Sequence, residues 1–192
     1  MSRLPSSVIL QKKPETPPHT PESLFTPAFY QPYRAAVETA FQMLCSARRM
    51  LFQDMGGETI RQMTFRLKTP NSISDKLRKK HLPVTCEAAD AALHDVAGLR
   101  VVLTNLQSVY RYAALLSASP MAEFVASRDY IANPKESGYQ SLHLLMMVPV
   151  VCRGQHRIVP VEIQLRTCDM DRWAVIEHDA CYKPAEAPLP SA

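Results

Sequence analysis

Val161-Glu162-Ile163-Gln164-Leu165-Arg166 alternates apolar and polar residues without a break. Successive side chains of a strand point to opposite faces, so Val161, Ile163 and Leu165 share one face and Glu162, Gln164 and Arg166 the other. The apolar set reads as core. The other set, a carboxylate, an amide and a guanidinium in a row, is either a solvated sheet face or the floor of a polar site. A turn around Arg153-Gly154-Gln155 joins this strand, about Arg157 to Arg166, to an earlier one, about Tyr139 to Val151.

Upstream of both strands runs Arg128-Asp-Tyr-Ile-Ala-Asn-Pro-Lys-Glu-Ser-Gly-Tyr-Gln-Ser-Leu-His143, a polar loop punctuated by Pro134 and Gly138. It opens into the apolar run Leu142 to Val148, so a loop free to wrap a ligand is anchored on a strand held by burial. Lys135 offers a charge for phosphate, Gly138 permits close approach of backbone, and Tyr139 offers a flat face for a base. The same residue types are also ordinary turn formers.

Further out, prolines recur from Met1 to about Pro27 among polar residues, with little apolar surface to offset the roughly 1–2 kcal/mol of backbone entropy lost per ordered residue. Residues 1–28 therefore read as a disordered or loosely draped tail. A helix is expected over about Tyr30 to Asp54, with Val37, Phe41, Leu44, Met50 and Leu51 near helical spacing, its aromatic residues in the core, and Gly56-Gly57 as its stop. Thr59 to Lys68 reads as a strand, with Ile60, Met63, Phe65 and Leu67 mostly alternating and Arg66 and Lys68 on the other face. A short basic helix follows, Ile73 to His81, then a small acidic one around Glu87 to Leu93. Val96 to Leu103 reads as a buried strand, Leu106 to Leu116 as a helix, Glu123 to Ser127 as a short strand, and Asp169 to Lys183 as a closing helix. Trp173 and His178 are taken as packing residues of that helix, and Met146-Met147 as core. Strands and helices intermix without a regular βαβ repeat, which predicts an α+β domain around one mixed sheet over residues 29–183, with a short Pro-rich tail from 184.

The chain has 192 residues, 46% of them hydrophobic and 21% charged, enough for one globular domain with a core. Its net charge of +4 leans mildly toward phosphate-bearing partners. No apolar run approaches a membrane span and the N-terminus lacks a signal-peptide core. Five scattered cysteines form no CxxC, so reduced thiols in a cytoplasm are expected.

Polar residues beside apolar elements collect into one chemistry: Arg66, Lys68, Lys76, Asp95, Arg100, Lys135, Tyr139, Glu162 and Gln164. Two carboxylates from separate elements, Asp95 and Glu162, together with phosphate oxygens satisfy Mg²⁺, which prefers hard oxygen ligands and keeps several waters. Surrounding Arg and Lys suit a polyphosphate, because phosphoryl-type transfer rests on positioning and charge stabilisation. The absence of GxxxxGK[ST] and GxGxxG disfavours the familiar phosphate-loop and dinucleotide folds.

Five ordered blocks carry a family resemblance: Phe65-Arg66-Leu67-Lys68 with Ser72-Ile73 and Lys76-Leu77; His94-Asp95-Val96-Ala97-Gly98-Leu99-Arg100; Asp129-Tyr130-Ile131 through Gly138-Tyr139-Gln140-Ser141-Leu142-His143; Val161 to Thr167; and Trp173-Ala174 with Glu177-His178. Together they resemble the synthetase domain of the RelA/SpoT family, nearest its stand-alone small alarmone synthetases, over about Tyr30 to Lys183. The resemblance implies a nucleotidyltransferase-like fold and transfer of the β,γ-diphosphate of ATP to the ribose 3′-OH of GDP or GTP, releasing AMP. It implies that Arg66 and Arg100 clamp the adenine, a stack worth roughly 1–3 kcal/mol that Lys cannot replace. Lys68, Lys76 and Lys79 would hold the ATP phosphates, and Asp95 and Glu162 would place Mg²⁺, with Glu162 also taking the 3′-OH proton. On the acceptor side the resemblance puts guanine on Tyr139, Lys135 and His143 near acceptor phosphates, and Asp171 at the guanine edge. Gln164 and Arg166 would support Glu162.

His94-Asp95 resembles the metal-binding pair of the hydrolase domain of long family members, but the other ligands and the preceding helical domain are missing, so no hydrolase activity is expected. Gln140 stands where many relatives have Arg, which removes a cation beside the acceptor site. The chain ends soon after Lys183, where tetrameric relatives continue, so a tetramer is not expected. Two other readings share the ATP site: a toxic relative that modifies the 3′-CCA end of tRNA, and an inactive nucleotide-binding module. The intact Asp95/Glu162 pair speaks against the latter.

Overall fold

Two helical starts open the described residues, which in the computed structural model are 20–182. Thr20 caps α1 (Pro21–Leu24), its side chain accepting from the Ser23 N–H, and Thr26 precedes α2 (Pro27–Met55). The chain continues through β1 (Ile60–Leu67), α3 (Pro70–Lys79), α4 (Cys86–Ala92), β2 (Ala97–Leu103), α5 (Leu106–Ser117), β3 (Glu123–Asp129), β4 (Leu142–Cys152), β5 (Gln155–Thr167) and α6 (Cys168–Tyr182). Side-chain caps recur: Thr69, Thr85 and Asn105 accept from the N–H three residues on, at 3.3, 3.1 and 2.8 Å. Each such cap is worth about 1 kcal/mol.

The expected tail over 1–28 is therefore corrected for its last third. Pro21 and Pro27 open helices, where a missing N–H costs nothing and φ is already set. Phe25, between them, is buried and packs edge-on against Phe29. The rest of that tail, and the short one from 184, lie outside the described residues.

The five strands form one mixed sheet in the order β1-β2-β5-β4-β3. β2 and β5 run parallel; the other neighbours are antiparallel. Helices α2 and α5 pack on one face. That face takes Leu142, Leu144, Met146 and Val148 of β4 and Val161, Ile163 and Leu165 of β5, all buried. The stripe of α2 that meets it is Val37, Ala40, Leu44, Ala47 and Leu51, each buried, at three- and four-residue spacing. Full burial of a Leu contributes about 1.5–3 kcal/mol, so this stripe is a main anchor of the helix. Gly56, at φ +70°, ends α2 with its N–H on the Phe52 carbonyl.

Three residues of the expected apolar faces are exposed, two on α2 and one at the sheet edge. Phe41 and Met50 are exposed (42% and 54%), because they flank the α2 stripe rather than lie in it. Phe65 is 67% exposed: β1 is an outer strand, and Phe65 borders an open apolar cavity of about 680 Å³ beside Phe41 and Val37. Cys45, Cys86, Cys152 and Cys168 are free thiols. Among the described residues no helix is long and apolar enough to cross a membrane.

Candidate active site

Strand register builds the site on the face away from α2. Arg66 pairs with Gly98, and Gly98 with Glu162, so these three lie in one row across β1, β2 and β5. The next row runs Thr64, Arg100, Gln164, His143 and Arg128 across all five strands. Gly98 leaves room between Arg66 and Glu162: a Cβ there would sit 3.7 Å from both Cγ and Nε of Arg66. Arg66, Gly98, Arg100 and Gln164 line a cavity of about 160 Å³ with the two guanidinium groups at its walls. Burial depresses the Arg100 guanidinium from its usual range, and Arg166 and Arg66 add to that, against Asp171.

Asp95 and Glu162 line one cleft, about 260 Å³, together with Lys76, Lys80, Arg128 and His143. Asp95 lies just before β2, and its Oδ2 accepts from Lys68 Nζ at 2.9 Å and from Lys76 Nζ at 2.6 Å. Burial pushes the Asp95 carboxyl up, but the two lysines outweigh it and hold it below its usual value. Its other oxygen, Oδ1, is buried and has no hydrogen-bond partner among the described residues. A hard anionic oxygen, desolvated in a cleft that also holds Glu162, fits a divalent cation.

Glu162 is held on both oxygens. His143 Nδ1 lies 3.2 Å from Oε1, and Gln164 Nε2 donates to Oε2 at 2.9 Å. Burial raises its carboxyl, yet His143 and then Gln164 bring it down to about 2, with Asp95 pushing weakly back. Behind it, Arg166 Nη2 donates to Gln164 Oε1 at 3.0 Å and Nη1 to Asp171 Oδ1 at 3.2 Å. Arg100 is also ion-paired to that oxygen, at 3.6 Å.

The loop expected to wrap a ligand borders this network. Tyr139 is buried, with its hydroxyl 2.7 Å from Arg166 Nη2 and 2.9 Å from His143 Nε2. Lys135 Nζ lies 4.5 Å from the centre of its ring and 4.9 Å from that of Tyr130. The aromatic surface offered for a base is thus covered by the chain's own ammonium.

Three expectations change. His143 does not point at a free phosphate position; both ring nitrogens are engaged, by Tyr139 and Glu162. Lys79 is outside the cleft lining, where Lys80, the residue that ends α3, stands instead. The strand expected from Tyr139 begins only at Leu142, so Tyr139 belongs to the loop. Arg128 is the cation that sequence reasoning missed. Nothing local marks it, since it reaches the cleft as the register partner of His143.

A mixed sheet whose polar face gathers two carboxylates, two flanking arginines and phosphate-sized cations defines a nucleotide-handling transferase. The family model described as "Region found in RelA / SpoT proteins" matches residues 65–187. The chain belongs to the RelA/SpoT family. GTP pyrophosphokinase YjbM of Bacillus subtilis (strain 168) is 36% identical over 155 residues, covering 81% of this chain and 72% of its own. The crystal structure of small alarmone synthetase 1 from Bacillus subtilis bound to its product pppGpp has a TM-score of 0.72 at 35% identity, over 83% of this chain and 82% of that one. The same synthetase bound to AMPCPP gives 0.66 at 32% identity, over 80% and 76%.

Proposed function

We propose that the chain is a cytoplasmic (p)ppGpp synthetase, moving the β,γ-diphosphate of ATP to the 3′-OH of GDP or GTP, without hydrolase chemistry. The observation that carries this is the shared cleft: Asp95 and Glu162, from β2's lead-in and β5, line it together beside the Arg66/Arg100 cavity. Adenine lies between the two guanidinium planes over Gly98. Lys68 and Lys76 turn from Asp95 to the ATP phosphates, with Lys80 taking the place first given to Lys79.

Asp95 and Glu162 would hold Mg²⁺, which supplies neutralisation of phosphate charge during transfer. Lys135 leaves the Tyr139 ring for an acceptor phosphate, and guanine takes the vacated face with its N–H edge toward Asp171. The acceptor 3′-oxygen then bonds to the β-phosphorus as the α,β-bridging bond breaks, AMP leaves with the bridging oxygen, and the hydroxyl proton passes to Glu162. A carboxylate near 2 is a weak base. It suits a loose transition state that asks mainly for positioning and charge stabilisation. Asp95 is held by Lys68 and Lys76, the two cations assigned to the ATP phosphates, which supports synthetase use of this carboxylate.

The test is label transfer. Purified protein with Mg²⁺ and γ-labelled ATP is given GDP, GTP, ATP or bulk tRNA in separate reactions. Label is expected in the guanosine nucleotides. Label in tRNA alone would replace this reading with the tRNA-modifying one, and no transfer would leave a nucleotide-binding module.

A further inference from the structure

Five side chains on the polar face close a ring of hydrogen bonds. Arg166 Nη2 reaches Tyr139 Oη at 2.7 Å and Gln164 Oε1 at 3.0 Å. Gln164 Nε2 reaches Glu162 Oε2 at 2.9 Å. His143 completes the circuit, its Nε2 2.9 Å from Tyr139 Oη and its Nδ1 3.2 Å from Glu162 Oε1.

Donor directions follow from the groups themselves. A guanidinium only donates and a carboxylate only accepts. With a neutral imidazole, Tyr139 Oη takes a hydrogen from Arg166 and, being buried, places its own on His143 Nε2. His143 then carries its hydrogen on Nδ1 and gives it to Glu162. Two arms thus run from Arg166 to Glu162 and end on different carboxylate oxygens. Arg166 is 3% exposed and Tyr139 and Gln164 are each 8% exposed, so water does not substitute freely in the circuit.

We propose that His143 is a positioning residue that ties acceptor recognition at Tyr139 to the orientation of Glu162, a role that rests on the synthetase reading of those two residues. Tyr139 and Asp171, the two groups assigned to the guanine, both hold Arg166. An acceptor base that fixes the Tyr139 ring fixes its hydroxyl, hence the imidazole, hence one edge of the carboxylate. A ligand that leaves the ring loose frees that edge. The difference lies in the geometry of the reacting state and not in ground-state contact, so it falls on kcat and spares KM.

Tyr139→Phe keeps the stacking face and removes only the hydroxyl. It is expected to lower kcat by about 10–100-fold, the usual loss when a group orienting a site carboxylate or imidazole is cut. Acceptor KM should stay within about threefold of wild type. His143→Ala should fall as far, and His143→Gln, whose amide can accept from Tyr139 and donate to Glu162, should recover most of the loss. Nitrogen NMR of ¹⁵N-histidine-labelled protein gives a readout that needs no turnover: His143 should be the Nδ1–H tautomer, with its Nε2 signal moved by Tyr139→Phe. Wild-type kcat in Tyr139→Phe, a raised KM with kcat untouched, or an Nε2–H tautomer overturns the proposal. A wild-type protein that labels no acceptor overturns the synthetase reading and this role with it, and the tautomer tells that failure apart from failure of the ring.

Discussion

Gly138→Ala should weaken acceptor binding and leave ATP binding alone. Gly138 sits at φ +81°, the left-handed region, inside a turn closed at both ends. Its N–H donates to the Lys135 carbonyl at 2.8 Å, and the Lys135 N–H to the Tyr139 carbonyl at 3.2 Å. An L-residue held there costs about 1–2 kcal/mol. A Cβ would also meet Trp173 Cζ2 at 3.4 Å, ordinary contact at its tight end, and Trp173 is half-exposed and able to shift. The backbone cost therefore dominates. Residues 132–138 are all exposed, so the strain is relieved by opening the turn and not by disturbing the sheet. Opening it loses the backbone turn that sets Lys135 at the acceptor side, and 1–2 kcal/mol against the competent turn is about a 5–30-fold rise in acceptor Kd. Titration calorimetry with GDP, and separately with a non-hydrolysable ATP analogue, measures both affinities; a melting curve checks that Tm moves little. An unchanged GDP Kd would show that the left-handed turn does not position the acceptor side. Equal loss of both ligands would place this loop on the ATP side as well.

Glu162→Gln should cut kcat by roughly 100–10,000-fold with an unchanged circular dichroism spectrum, since the amide is isosteric but cannot take the proton. The same variant tests acid stability. Glu162 titrates near 2 when folded against an ordinary 4.5, so its contribution is present above pH 4.5 and lost as pH falls toward 2. That displacement is worth roughly 3 kcal/mol, which urea unfolding of wild type should lose over this window and Glu162→Gln should not. Arg66→Lys keeps the charge but loses the plane, and should raise the Kd for an ATP analogue by about 5–150-fold with GDP affinity unchanged. Tyr112→Phe removes the buried hydroxyl that donates to the Leu44 carbonyl at 2.6 Å. That carbonyl, in the middle of α2, keeps its helical partner, so the denaturant midpoint should fall by the equivalent of about 1 kcal/mol at constant slope.

Much of the architecture could be read from local pattern. The alternation in β5 gave its two faces, because a strand buried on one side and polar on the other repeats every two residues. Gly56 stopped α2 because only a left-handed residue ends a helix that way cheaply. Where local pattern misled, a competing local cause or the sheet edge was responsible. Prolines 21 and 27 looked like disorder and serve as first helical residues behind Thr20 and Thr26. Phe65 reads as part of an apolar strand face and is exposed, because β1 has a neighbour on one side only and a bulge between Ile60 and Gln62 shifts its register.

The site residues were legible as types and illegible as partners. Asp95 and Glu162 are 67 positions apart in the chain, and only the parallel pairing that sets Gly98 opposite Glu162 brings them to one cleft. The His143 circuit depends still more on register. β4 sets Leu145 opposite Glu162 and His143 opposite Gln164, which makes His143 the diagonal neighbour of the carboxylate. Slipping β4 by one residue would turn His143 into the core and Leu144 out to the polar face. The apolar set Leu142, Leu144, Met146 and Val148 is what forbids that slip, so the packing under α2 and the orientation of Glu162 are secured by the same strand pairing.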